Sequence, residues 1–239
     1  MSKVTRAIIM AAGKGTRMHP ITESIPKPLI EVHGKRMIDT IIDALHANDI
    51  YEIYIVIGYL KHAFLNIPNE VKGVTLIENP YFDTCNNISS LYVAKDYISN
   101  AIIIDGDQII TDPEILYPEF QNSGYNCVWQ ENDSKEWMLT LDSQNKVVSC
   151  SRTGGNHAWQ LYGISRWTKE DGIKLKELLE LEFKEKKNTQ IYWDDIAMFE
   201  HFDKFDLQGY PMHAGGVKEI DSLDELIEED NSYRSYKGE

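Results

Sequence analysis

One glycine-rich, basic segment in this sequence has the right residue types to handle phosphate. Ala11-Ala12-Gly13-Lys14-Gly15-Thr16-Arg17 follows a short apolar run and continues to Pro26-Lys27-Pro28. Glycines let a triphosphate approach the backbone and let amide N–H groups point at it. Lys14 and Arg17 can add charge-assisted bonds to phosphate oxygens. Pro26 and Pro28 stiffen the chain around Lys27 and so fix where its ammonium points. Two familiar phosphate motifs are excluded. A P-loop needs GxxxxGK[ST], and this segment reads GKGTR. A dinucleotide fingerprint needs a third glycine, where Met18 stands. A bare GxG after a strand is also what an ordinary tight turn uses, so the spacing by itself leaves both readings open.

Carboxylates form the second cluster. Asp105-Gly106-Asp107 closes an apolar strand, and residues at i and i+2 of an extended chain project to one face. Oxygen ligands at a strand end suit Mg²⁺, which takes one or two carboxylates plus substrate phosphates. A strand-terminating turn is the plain alternative. Lys218-Glu219-Ile220-Asp221-Ser222 supplies a later pair, with Glu219 and Asp221 on the same side. On position alone, Asp221 reads as a helix N-cap for Leu223 onward. The seven histidines are scattered and none is assigned chemistry, and no Ser/His/Asp or Cys/His arrangement appears.

These residues need elements to hold them. Arg6 to Ala11 reads as a buried parallel strand, followed by strands at Ile53–Ile57, Val74–Ile77 and Ala101–Ile104. A helix fits Met37, Ile38, Ile41, Ile42 and Leu45, and another fits Ile88, Leu91, Tyr92 and Lys95, capped by Asn86 or Asn87. Alternating strands and helices imply a mostly parallel sheet flanked by helices, with ligands at the carboxyl ends of the strands. The second half reads as strands at 125–130, 137–141, 147–150 and 160–165, then a helix over about 169–186. With no linker, repeat or low-complexity tract, one domain covers 1–239.

The 239 residues carry a formal net charge of -14, which argues against an extended nucleic-acid footprint. The acidic run Asp221–Asp230 reads as a solvated helix face. No apolar stretch approaches a membrane span, and Ala7 to Ala12 is too short for a signal peptide, so a cytoplasmic protein is expected. Cys85, Cys127 and Cys150 are odd in number and widely spaced, as reduced structural thiols are.

The full string GxGxRxxPxTxxxPKP is more specific than any of its parts. Gly13, Gly15, Arg17, Pro20, Thr22, Pro26, Lys27 and Pro28 all stand in place. It resembles the signature of the nucleoside-diphosphate-sugar pyrophosphorylase superfamily of nucleotidyltransferases. The resemblance implies their α/β fold, a dinucleotide-fold-like, mostly parallel mixed sheet, with an NTP-binding half at about 1–120 and an acceptor-binding half at about 121–239. It also implies that Arg17 contacts the departing pyrophosphate and that Lys27 stabilises the attacked α-phosphate. Asp107 and Asp221 would share Mg²⁺, with Glu219 as helper.

Gly58-Tyr59-Leu60, Asn86-Asn87-Ile88-Ser89-Ser90-Leu91-Tyr92, Glu136-Trp137 and Tyr192-Trp193-Asp194 narrow the match. Together they resemble the bacterial CTP:phosphocholine cytidylyltransferases of the LicC type over nearly the whole chain. The resemblance implies CTP as partner, with nucleotide contacts from Ala11, Ala12, Gly13, Lys14, Gly15, Thr16, Gly58, Tyr59, Asn87, Ser90 and Asp105. The acceptor would be a small cationic phosphate or phosphonate. Trp137, Tyr192 and Trp193 would supply aromatic faces to a quaternary ammonium, and Asp194 or Asp195 the counter-charge. The second acid at Asp195, where some relatives have an amide, would favour a primary ammonium, which donates hydrogen bonds. The expected reaction is therefore CTP plus phosphocholine giving CDP-choline and pyrophosphate. The alternative acceptor is 2-aminoethylphosphonate or phosphoethanolamine, and a sugar 1-phosphate is third. A non-catalytic nucleotide-binding scaffold is disfavoured, since Lys27, Asp107 and Asp221 are all present. No nucleic acid and no membrane insertion are expected, and a homodimer is left open.

Overall fold

The computed structural model describes residues 1–237. Strand β1 (Arg6–Ala11) lies inside a parallel array with β2 (Glu52–Ile57), β3 (Val74–Glu78) and β4 (Ala101–Asp105), in the spatial order β3-β2-β1-β4. Burial on both faces explains the continuous apolar runs. Ala7, Ile9 and Ala11 join Ile38, Ile41 and Leu45 of helix α1 (Met37–Ala47) in one core. Ile8, on the opposite face, joins Ile88 and Leu91 of helix α2 (Ile88–Val93) in another. The period-2 alternation of a strand and the 3.6 period of a helix thus meet on each side of the sheet.

After β4 the chain turns through Gly106-Asp107 into the short strand β5 (Gln108–Ile110). The second half adds β6 (Gly124–Gln130), β7 (Met138–Leu141), β8 (Val147–Ser151) and the ten-residue β9 (Ala158–Trp167). Helix α3 (Lys169–Leu179) follows and runs on as a π-helical turn, Glu180–Glu185. Strands β10 (Gln208–Pro211) and β11 (Val217–Glu219) precede helix α4 (Leu223–Glu229).

Strand β9 joins the halves into one nine-stranded sheet. Its residues Ile164–Trp167 pair with β4, and Trp159 and Gln160 pair with β7. Strand β6 occupies the other edge along most of its length. Two strands therefore share one edge of β9 and the sheet forks between them, leaving Leu161 and Gly163 to line a cavity.

The expected strands all form, most of them longer by a residue or two. Three local expectations are corrected. Asp107 lies in a turn rather than on a strand. Asn87 stands at the N-cap of α2 but makes no side-chain cap bond: Asn86 Oδ1 accepts from the Asn87 N–H, and Asn87 Oδ1 accepts from the Trp193 N–H. The N-cap of α4 is Ser222, in a reciprocal capping box with Glu225, so the cap lies one residue beyond Asp221. Leu226 and Ile227 bury one face of α4, which puts its acids on the other face. Cys85, Cys127 and Cys150 are free thiols. Among the described residues no helix is long and apolar enough to cross a membrane.

Candidate active site

The glycine segment leaves β1 as a loop braced from within. Gly15 takes a left-handed φ of 61°, and a Cβ there would press on Lys27 Cβ and Thr22 Cγ2, each at 3.1 Å. The Thr22 hydroxyl donates to the Gly15 carbonyl at 2.8 Å, tying the turn shut. Gly13, Gly15, Thr16 and Arg17 line a recess of about 280 Å³, with Lys27 at its back. The recess adjoins a larger cavity of about 560 Å³ that begins at Ala12 and Gly13 and ends at Trp137 and Tyr192. Asn87, Ser90 and Asp105 line the larger cavity as well. Gly58 and Tyr59 line neither. They support the loop from behind, the Tyr59 N–H donating to the Ala12 carbonyl at 3.1 Å. Lys14 also lies outside the lining and is ion-paired with Asp83.

Asp107, Glu219 and Asp221 meet because β5 and β11 form a two-stranded ribbon. Its register sets Gln108 opposite Glu219, which brings the preceding Asp107 against the chain that leaves β11 toward Asp221. One carboxylate oxygen from each of the three lies within 4.8 Å of the others. Lys27, 7% exposed, bridges two of them, with Nζ at 2.7 Å from both Asp107 Oδ2 and Asp221 Oδ1. Arg17 donates to the same Asp221 oxygen at 2.9 Å. Burial alone would lower the Lys27 ammonium, but the two aspartates outweigh it and hold it above the ordinary lysine range. Burial pushes Glu219 up to about 8, aided by Asp107 and Asp221. Burial likewise holds Asp105 well above the carboxylate range, with Asp107, Asp194 and Glu219 adding to it. Asp107 Oδ1 is buried without a hydrogen-bond partner.

At the far end the structure separates residues that the sequence had grouped. Trp137 and Tyr192 line the cavity, their rings edge-to-face at 5.9 Å. Asp194 lines it too, with Oδ1 buried and unpartnered. Burial pushes Asp194 up to about 7, with Asp195 adding to the shift and the Tyr125 hydroxyl opposing it. Trp193 is a correction. It is 1% exposed, stacks on Tyr125 and meets Trp167 edge-on in the core, because its side chain leaves the loop on the side away from the cavity. Asp195 is another. Its carboxylate is paired with Arg152 at 2.6 Å and accepts the Tyr192 N–H at 2.8 Å, so it faces away from the ligand space.

Four residues lining the larger cavity were absent from the predicted set, and one of them, Met10, is the strand residue just before the glycine segment's Ala11. Glu136 precedes Trp137 in the Glu136-Trp137 pair and, though exposed, contributes to the cavity wall. Leu161 and Gly163 sit at the fork of the sheet. A Cβ on Gly163 would lie 2.0 Å from Asp105 Oδ2, so glycine is what lets that carboxyl fit. A glycine in the middle of a strand was the signal available for it.

A parallel sheet with a phosphate-type loop, a bridging lysine and clustered carboxylates at its strand ends describes a nucleotidyltransferase. The comparisons agree. The family model for nucleotidyl transferases matches residues 6–120. A 2-aminoethylphosphonate cytidylyltransferase of Lancefieldella rimae is 36% identical over 231 residues, covering 96% of this chain and 93% of the relative. A choline-phosphate cytidylyltransferase of Streptococcus pneumoniae is 30% identical, covering 95% and 100%. The solved structure of CTP:phosphocholine cytidylyltransferase (LicC) from the same species matches with a TM-score of 0.89 at 28% identity, over 95% of this chain and 98% of that one. The chain belongs to the nucleotidyl transferase family, among its cytidylyltransferases, enzymes that use CTP and a phosphate-bearing acceptor.

Proposed function

We propose that this enzyme transfers CMP from CTP to 2-aminoethylphosphonate and releases pyrophosphate. The observation that carries the reading is the make-up of the acceptor end. With Trp193 in the core, two aromatic residues remain, Trp137 and Tyr192, beside the carboxylates of Asp194 and Glu136. A primary ammonium donates hydrogen bonds, and carboxylate oxygens accept them. A quaternary ammonium would instead rely on aromatic faces, each contributing about 0.5–2 kcal/mol. The relative from Lancefieldella rimae, named for that phosphonate, supports the same choice. Phosphocholine is the second reading, favoured by the crossed Trp137 and Tyr192 rings and by the likeness to the pneumococcal structure.

In this reading the half at about 1–120 binds CTP and the half at about 121–239 binds the acceptor. The acceptor phosphonate is already an anion, so its attack on the α-phosphorus needs no general base. Lys27, freed from its aspartates, stabilises charge on the α-phosphate, and Arg17 meets the departing pyrophosphate. Asp107, Asp221 and Glu219 fit a hard divalent cation, since the donor set is all carboxylate oxygen and Asp107 Oδ1 lacks a partner. We assign them Mg²⁺, which when bound neutralises phosphate charge. The protein's own part is positioning and charge complementarity.

The test is a substrate panel scored by pyrophosphate release: CTP, UTP, ATP and dTTP, each against 2-aminoethylphosphonate, phosphocholine, phosphoethanolamine and a hexose 1-phosphate. The expected result is highest kcat/KM with CTP and 2-aminoethylphosphonate. A preference for phosphocholine promotes the second reading, and a preference for the hexose phosphate removes both.

A further inference from the structure

We propose that Arg152 is a positioning residue for the acceptor wall and fixes how many acids that wall presents. The proposal builds on the acceptor reading above but holds for any cationic acceptor.

Arg152 lies on the loop that follows β8. Its Nη2 donates to Asp195 Oδ1 at 2.6 Å. The guanidinium sits 3.7 Å from the ring centre of Phe199 and 5.8 Å from that of Trp137. Trp137 in turn meets Phe199 edge-on at 5.3 Å and Tyr192 at 5.9 Å. The other oxygen of Asp195 accepts the Tyr192 N–H at 2.8 Å. One cation thus reaches Trp137 through its ring and Tyr192 through Asp195, while Asp194, the next residue back, is left to face the cavity.

The chemistry requires an arginine. The Asp195 side chain is 5% exposed, and a carboxylate that deeply buried must be paired. A guanidinium can stack flat on an aromatic ring while its edge donates to a carboxylate, whereas an ammonium is a point donor with no plane. Because Arg152 neutralises Asp195, Asp194 meets a neighbour whose charge is already balanced. Without Arg152, Asp195 would repel Asp194 and release the backbone at Tyr192. Arg152 is 46% exposed and does not line the cavity, so its influence passes through these neighbours rather than through contact with substrate.

The experiment measures both Michaelis constants with CTP and whichever acceptor the wild type turns over best, together with acceptor binding by tryptophan fluorescence. The acceptor panel on wild type is scored separately, so a different acceptor there does not decide the role of Arg152. Arg152→Met is expected to raise acceptor KM about tenfold and leave CTP KM within about twofold, the pattern of a lost ground-state contact on one substrate. Arg152→Lys should recover only part of that loss. Combining Arg152→Met with Asp195→Asn should bring acceptor KM back toward wild type, because no buried charge is then left unpaired. Equal rises in both KM values would mean a general structural role and overturn the proposal. So would an unchanged acceptor KM, or a double variant no better than Arg152→Met. If Arg152→Met does not fold, Arg152→Lys carries the test by the same split between the two constants.

Discussion

The two ends of the cavity are built on opposite electrostatic plans. At the glycine-loop end, basic groups are already engaged with acids: Lys27 bridges Asp107 and Asp221, and Arg17 reinforces Asp221, while Glu219 and Asp105 lie nearby without a described ion pair. At the acceptor end, no described basic side chain pairs with Asp194 or Glu136, and Asp194 keeps a buried oxygen without a partner. The difference separates two tasks. Matched charges suit a place where charge is rearranged during reaction, because the lysine can change partners at small net cost. Unmatched acids suit a place that only has to hold a cation.

The carboxylate cluster offers the hardest test of this contrast. Asp107→Asn and Asp221→Asn should each lower kcat by about 10³-fold with the fold retained, as loss of a metal-supporting ligand does. Circular dichroism and turnover across a Mg²⁺ series check this. Near-normal turnover at low Mg²⁺ in either variant would remove that residue from the metal set.

Lys27→Ala comes next. Its ammonium should interact more strongly with the charge that develops in the transition state than with ground-state CTP, so kcat should fall about 10²-fold with a smaller change in CTP KM. A normal kcat with a raised KM would show that Lys27 only holds nucleotide, and the contrast between the two ends would lose its first half.

The smallest effect belongs to the acceptor end. Asp194→Asn should raise acceptor KM about 30-fold and leave CTP KM nearly unchanged. With its carboxyl pushed up to about 7, Asp194 gains a proton and loses its charge as pH falls through that value. Acceptor KM should therefore rise about tenfold between pH 8 and pH 6. The same profile measured on Asp194→Asn should lose that inflection, while any inflection from the acceptor's own phosphonate persists. Matching profiles in the two proteins would refute Asp194 as the counter-charge.

How much the sequence revealed also divides along the cavity. The phosphate end was legible because glycine spacing, prolines flanking a lysine and a strand-ending aspartate are local features. The ribbon that unites Asp107 with Glu219 and Asp221 was only half visible, since β5 is three residues long and its partner lies more than a hundred residues away. The acceptor end was harder. Tyr192 and Trp193 lead into a short helical turn that Asp194 and Asp195 begin, too short for any period to sort them. The structure sends Tyr192 and Asp194 to the cavity and Trp193 and Asp195 to the interior. Arg152 gave no signal because its meaning depends on Asp195, 43 positions away. The cap of α4 was missed by one residue, at Ser222, where Ser and Asp are both good caps and only the capping box decides.

The fork at β9 has a mechanical consequence. A ten-residue strand spans about 33 Å and resists stretching, because its length is set by the extended backbone. One end of this beam is fastened to β4, the neighbour of the strand that leads into the glycine loop, and the other to β7, beside which Trp137 stands. In the proposed reading the beam gauges the distance between the two reacting molecules, while the head-group contacts belong to segments packed beside it. In that reading, residues such as Glu136, Tyr192 and Asp194 can be exchanged to suit another cation without resetting that gauge.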